Sequence, residues 1–215
     1  MCTQPSKKQQ QQQQLLTVAL PTQSFPRLPG TQKEIEIVEK HAQNFSVLRL
    51  FESEANPKHV TKAMKESSWV HFACHGMQSI SNPTESCLSL SNHSELTLAE
   101  IIKLQLENAQ LAFLSACQTA TGDKDLEEEV VHLAAGMLLA GYNGVIATMW
   151  MIDDDFAIRV ADETYSRLFK EYDADPTHAS EALHYGLKKL SEERRESGQL
   201  KFPLFSWVPF IHMGI

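Results

Sequence analysis

Three short, largely apolar runs constrain the fold of this chain more than anything else in it. They are Trp69–Cys74, Leu111–Cys117 and Gly144–Trp150. Each gives way to small, polar or acidic residues: His75-Gly76, Gln118-Thr119-Ala120-Thr121-Gly122-Asp123, and Asp153-Asp154-Asp155. Apolar runs of roughly four to eight residues bounded by turn signals read as strands buried on both faces, the mark of a parallel sheet. A parallel sheet needs crossovers, and segments with helical spacing lie between the runs.

Leu15–Ala19 and Ser46–Phe51 read as two further strands. Thr31 with Glu34 is a capping-box signal, followed by Ile35, Val38 and His41/Ala42 at helical spacing. Asn56-Pro57 opens a second helix, to about Lys65, because Asn suits the cap and Pro the first turn. Cys87–Leu90 reads as a short edge strand and Leu98–Leu106 as a helix crossing back over the sheet. Glu127–Ala140 is acidic at its start and apolar afterwards, a helix closed by Gly141. Two more helices are expected, from about Asp155 to Glu171 and from Thr177 to about Arg195. The Pro-bounded tail, Phe205–Ile215, reads as a last strand. The alternation implies an α/β fold with a mainly parallel sheet and helices on both faces.

A length of 215 residues fits one domain, here residues 15–215, preceded by a polar segment, 1–14, that carries the glutamine run Gln9–Gln14. That segment has too little apolar surface to offset ordering entropy and is expected to be disordered. The net charge of -8 argues against a phosphate backbone as partner, so no nucleic acid is expected. No apolar run approaches the ~20 residues of a membrane span. Cys2, Cys74, Cys87 and Cys117 show no paired spacing and no secretory signal is visible, which points to free thiols in a reducing, cytoplasmic setting.

Consecutive parallel strands deliver their carboxyl ends to one edge of the sheet, where open α/β sheets do their chemistry. His75, Cys117 and Asp153–Asp155 each follow a predicted strand. Together they would supply an imidazole, a thiol and carboxylates to one crevice. A nearby imidazole favours the thiolate and provides a proton for a leaving amine. Gly76 allows close backbone approach, so its N–H could face an oxyanion together with that of Cys117.

Plainer readings compete. A free cysteine is most often core. Carboxylates such as Asp153, Asp154 and Asp155 stabilise a helix N-terminus, and Glu127–Glu129 do the same. A zinc site from His71, Cys74, His75 and Cys117 is a minor alternative, since His71 and Cys74 point to opposite faces of one strand. His93 and His132 have no nameable partner and are read as structural.

At these residues the chain resembles the CHAT family, caspase-like peptidase domains often joined to tetratricopeptide repeats. The resemblance is carried by His71–Gly76, Leu114–Thr119, Gly122, Leu133-Ala134, Gly141, Trp150–Asp154, Trp207–Phe210 and Gly214, with Leu28-Pro29-Gly30 at its start. It implies a caspase-like three-layer sandwich and a cysteine endopeptidase acting on proteins or peptides. His75 would be the base and Cys117 the nucleophile, with no metal or organic cofactor. Ser115 stands ahead of Ala116-Cys117, so the aspartate specificity of caspases is not carried over. Trp150–Asp154 also resembles separases, in which an aspartate of this loop receives a basic P1 side chain. Asp154 matches best, with Asp153 beside it, which implies cleavage after Arg or Lys. Met151 stands where the family often has proline, and Gln118 where it often has an acidic residue. A tetratricopeptide-repeat or sensor domain, in cis or in trans, is the expected regulator. The alternative is a non-catalytic signalling or scaffolding module that keeps the fold.

Overall fold

The computed structural model describes residues 13–20, 27–77, 79, 82–115, 130–149, 154–196 and 210–215. In chain order they form β1 (Gln14–Ala19), α1 (Gly30–His41), β2 (Ser46–Phe51), α2 (Pro57–Glu66), β3 (Trp69–Ala73) and β4 (Gly76–Met77). There follow β5 (Cys87–Ser89), β6 (Glu95–Thr97), α3 (Leu98–Ile102), β7 (Leu111–Leu114) and α4 (Val130–Ala140). The chain continues through β8 (Gly144–Thr148), α5 (Asp154–Glu171), α6 (Ala179–Glu196) and β9 (Phe210–Gly214).

The central sheet has six strands in the order β2-β1-β3-β7-β8-β9, and only β9 runs antiparallel to its neighbour. From β1 the chain steps to β2 on one side, then returns past β1 to β3 and moves away in the other direction. Strand order therefore reverses at the β1–β3 pair, where such sheets open a crevice at their carboxyl ends.

Strand residues alternate between two helical layers, as the pleat requires. Leu16, Val18, Val70, Phe72, Ala112, Leu114 and Val145 pack with residues of α2, α3 and α4. Leu15, Trp69, Leu111, Phe113 and Ile146 face the other way, against α1, α5 and α6. The second layer is aromatic: Phe45 meets Trp69 edge-on at 5.3 Å and Phe169 at 5.0 Å. The Trp69 indole N–H donates to Gln110 Oε1 at 3.0 Å. A fully buried β3 thus costs little, except at one residue.

That residue is His71, which has no exposed surface. Its Nε2 lies 3.1 Å from Glu34 Oε1 of α1, and its Nδ1 3.2 Å from the Tyr165 hydroxyl of α5. The ring stacks on Phe113 with centroids 4.8 Å apart. Burial, and then the Glu34 carboxylate, hold the Tyr165 hydroxyl well above its usual range, so Tyr165 stays protonated. This corrects the capping-box expectation for α1. Thr31 donates its hydroxyl to Leu28 O at 2.8 Å, and Glu34 turns inward because His71 needs a partner. A reciprocal capping box does exist at Thr97 and Glu100, where α3 begins.

Most other boundaries hold to within a residue or two, though the strand read over Leu111–Cys117 stops at Leu114. Asn56 caps α2 by accepting the His59 N–H at 3.0 Å. The helix expected over Leu98–Leu106 ends at Ile102, and Leu106 reaches the core from the turn beyond it. A second, three-stranded antiparallel sheet, β4-β5-β6, was not legible beyond the strand at Cys87. The amino-terminal part of the Glu127–Ala140 helix lies outside the described residues. Among the described residues no helix is long and apolar enough to cross a membrane.

Gly141 ends α4 at φ +122°, and a Cβ there would lie 2.2 Å from the Leu106 carbonyl oxygen. Gly141→Ala should therefore cost at least about 1–2 kcal/mol for the left-handed backbone alone, read from denaturant melts. Glu34→Ala strands His71 without its partner and should cost about 1–3 kcal/mol in the same assay. A loss below ~1 kcal/mol would mean the pair carries no net burden of burial.

Candidate active site

The β3 strand stops at Ala73 because the chain must leave the sheet to enter β4. His75 lies in that joint and is buried, with 4% of its surface exposed. Its carbonyl accepts the Ser89 N–H of β5 at 2.8 Å. The imidazole is thus carried on backbone fixed at one end by the central sheet and at the other by the small one. Leu88, Leu90 and Leu96 anchor the small sheet in the same core as Val70 and Phe72.

Gly76 pairs with Leu88 across β4 and β5. The bond from Ser89 N–H to His75 O makes this a non-hydrogen-bonded pair, so the Gly76 N–H points away from β5. The β4–β5 ladder leaves that donor unused, on the open side of the small sheet. Such an amide can serve a developing oxyanion if a substrate carbonyl reaches it.

The neighbour of β3 on its far side is β7, in parallel register with Phe72 opposite Leu114. The described part of this segment ends at the buried Ser115. Cys117 lies outside the described residues, as do Gly122 and Asp153. The expected encounter of His75 with Cys117 thus lies outside the described residues. Cys2 also lies outside the described residues.

Asp154 opens α5 and is partly exposed. Its Oδ2 accepts the Gly30 N–H, the first of α1, at 3.3 Å. Asp154 therefore holds the start of another helix as well as its own, in keeping with the electrostatic reading of carboxylates at helix N-termini. Its place after β8 puts it on the same sheet edge as His75.

Among the described residues no group of His, Cys, Asp and Glu is placed to hold a metal ion. Both ring nitrogens of His71 are engaged by Glu34 and Tyr165, on the face opposite Cys74. Cys74 is fully buried, and Cys87 is 3% exposed. Burial, and then the Glu95 carboxylate, push the Cys87 thiol up to about 11. Both thiols are shielded from solvent. His93 lies on a short turn at φ +57°, remote in the chain from the dyad candidates. Glu34 and Tyr165 were missed as supports of the site strand. The available signal was a carboxylate on the buried stripe of α1, at Thr31, Glu34, Ile35 and Val38.

No curated protein matches the chain. Among solved structures it is similar to the Arg specific cysteine proteinase gingipain R (RgpB). The TM-score is 0.53 and the identity 16%, over 86% of this chain and 43% of that one. It is also similar to the complex of Porphyromonas gingivalis RgpB pro- and mature domains, at a TM-score of 0.48 and 15% identity over 74% and 37% of the two chains. This chain thus spans less than half the length of those proteinase chains. The shared element is a caspase-like fold, a mainly parallel sheet between helical layers. A model of the CHAT domain matches residues 1–215, and the chain belongs to that family.

Proposed function

We propose that the chain is a cysteine endopeptidase that cleaves protein substrates after a basic residue, using His75 and Cys117. The observation that carries this reading is the clamped position of His75 at the carboxyl end of β3, beside β7. The β3–β7 register sets Phe72 opposite Leu114, so the two parallel strands end side by side on one edge of the sheet. Gingipain R, a cysteine proteinase of the same fold, supports the reaction class and, through its Arg specificity, the P1 preference.

In the reaction, Cys117 Sγ attacks the scissile carbonyl carbon while the His75 imidazole holds the thiol proton. The amides of Gly76 and Cys117 receive the oxyanion. The C–N bond breaks as His75 passes the proton to the leaving amine, which leaves a thioester on Cys117. Water, deprotonated by His75, then attacks the thioester. A carboxylic acid departs and the thiol is regenerated. Asp154, with Asp153 beside it, pairs with the P1 guanidinium or ammonium. The chemistry uses the protein's own side chains and backbone amides with water, and a reducing, cytoplasmic setting keeps Cys117 as a thiol. A tetratricopeptide-repeat or sensor domain, in cis or in trans, would control access to the cleft.

A peptide-library digest comparing the parent with Cys117→Ala tests this reading. The variant should lose cleavage altogether, and His75→Ala should lose about 10²–10⁴ in rate. Equal digestion by parent and Cys117→Ala would overturn the peptidase reading and leave the scaffolding module in its place. Labelling by an Arg-based acyloxymethyl ketone should map to Cys117 and fail in Asp154→Ala.

Thiol reactivity gives an independent check. At pH 7.5 iodoacetamide should label Cys117, more slowly in His75→Ala. Cys87, its thiol pushed up to about 11, and the buried Cys74 should label only after denaturation. Peptide mapping by mass spectrometry separates the sites.

A further inference from the structure

We infer that Gly30 is a positioning residue for the basic-residue pocket, holding the Asp154 carboxylate in one orientation through its backbone N–H. This inference rests on the proposed role of Asp154 and adds a part that role needs. The Pro29 cap of α1 makes no side-chain hydrogen bond to the helix. The acceptor comes instead from α5, as Asp154 Oδ2 at 3.3 Å from the Gly30 nitrogen.

Space makes the same point independently. A Cβ on Gly30 would lie 2.8 Å from Asp154 Cβ, 2.9 Å from its Oδ2 and 3.0 Å from its Cγ. Those atoms belong to the root of a short side chain, which cannot swing aside without leaving the contact. Gly30 is not needed for backbone freedom, because the described glycines with positive φ are Gly141 and Gly214. Alanine is intrinsically the better helix former at such a position. What glycine provides at position 30 is room for Asp154 to approach a helix terminus.

The neighbouring helix contacts make the arrangement rigid. α1 and α5 are also joined through Glu34, His71 and Tyr165, and by His41 Nε2 and Asp162 Oδ1 at 2.6 Å. Gly30 stands at the end of this series that faces the carboxyl edge of the sheet. With Oδ2 bound to the helix, the carboxylate has one fixed orientation to offer a P1 cation. Orientation set before binding spares the complex that ordering cost.

The test compares cleavage of matched peptides carrying Arg or its neutral isostere citrulline at P1, with the full chain as enzyme. In Gly30→Ala the Arg-to-citrulline ratio of kcat/KM should fall about tenfold or more. The loss should enter through KM for the Arg peptide, while turnover of the citrulline peptide stays at the parent's value and the melting temperature falls no further than in Asp154→Ala. Asp154→Asn should collapse the ratio, and adding Gly30→Ala to it should change nothing further. A Gly30→Ala enzyme with the parent's ratio overturns this inference alone. A parent without preference for Arg over citrulline overturns the pocket assignment, and this inference with it. A second measurement does not depend on Gly30→Ala folding. Asp154→Asn keeps an acceptor for the Gly30 N–H and should melt with the parent, while Asp154→Ala should melt several degrees lower. Identical melting of the two variants overturns the contact.

Discussion

A buried imidazole in the middle of the sheet is the constraint on which the rest of this structure depends. β3 is enclosed on both faces, and an unsatisfied polar ring there would cost about 1–3 kcal/mol. The chain meets this by bringing one partner from each of two helices, Glu34 from α1 and Tyr165 from α5, and by stacking the ring on Phe113. Apolar side chains could fill the same volume in several ways. Hydrogen bonds at 3.1 and 3.2 Å tolerate few. The position of α1 along the sheet follows from Glu34, and that of α5 from Tyr165. Both helix starts, Gly30 and Asp154, are thereby brought together. His75 lies four residues further along the strand that His71 anchors.

The two described cysteines show how context decides what a thiol can do. Cys74 continues the inner face of β3 into packed hydrocarbon, and Cys87 lies under the small sheet beside Glu95. At Cys87 desolvation and the Glu95 carboxylate both disfavour the thiolate, and Cys74 is shielded from solvent altogether.

Much of the sheet was legible because its strands are apolar runs closed by turn residues. Ser46–Phe51 matches β2 and Leu15–Ala19 falls one residue inside β1. The small sheet was not legible. Its strands are two or three residues long, set among Ser, Asn and Pro, and their pairing is dictated by burial of Leu88 and Leu96 rather than by local pattern. Thr31 and Glu34 misled for a physical reason. An acidic residue three places after a threonine looks the same in sequence whether it folds back on the helix end or reaches into the core. At Thr97 and Glu100 the local pattern won, because no buried base competes for that carboxylate. For the site, His75 could be found as a residue just past a strand. The contact between Gly30 and Asp154 joins residues far apart in the chain, and only the packing of α1 on α5 reveals it.

The joint between the two sheets has a mechanical consequence. The carbonyl of His75 is bonded to Ser89, while two residues earlier the chain is still locked into the large sheet at Ala73. A small sliding of β5 along its own axis is therefore transmitted to the ring with almost nothing in between to absorb it. The large sheet, braced by six strands and two helical layers, stays put. The imidazole rides on a short lever whose fulcrum is the end of β3 and whose handle is the outer, smaller sheet.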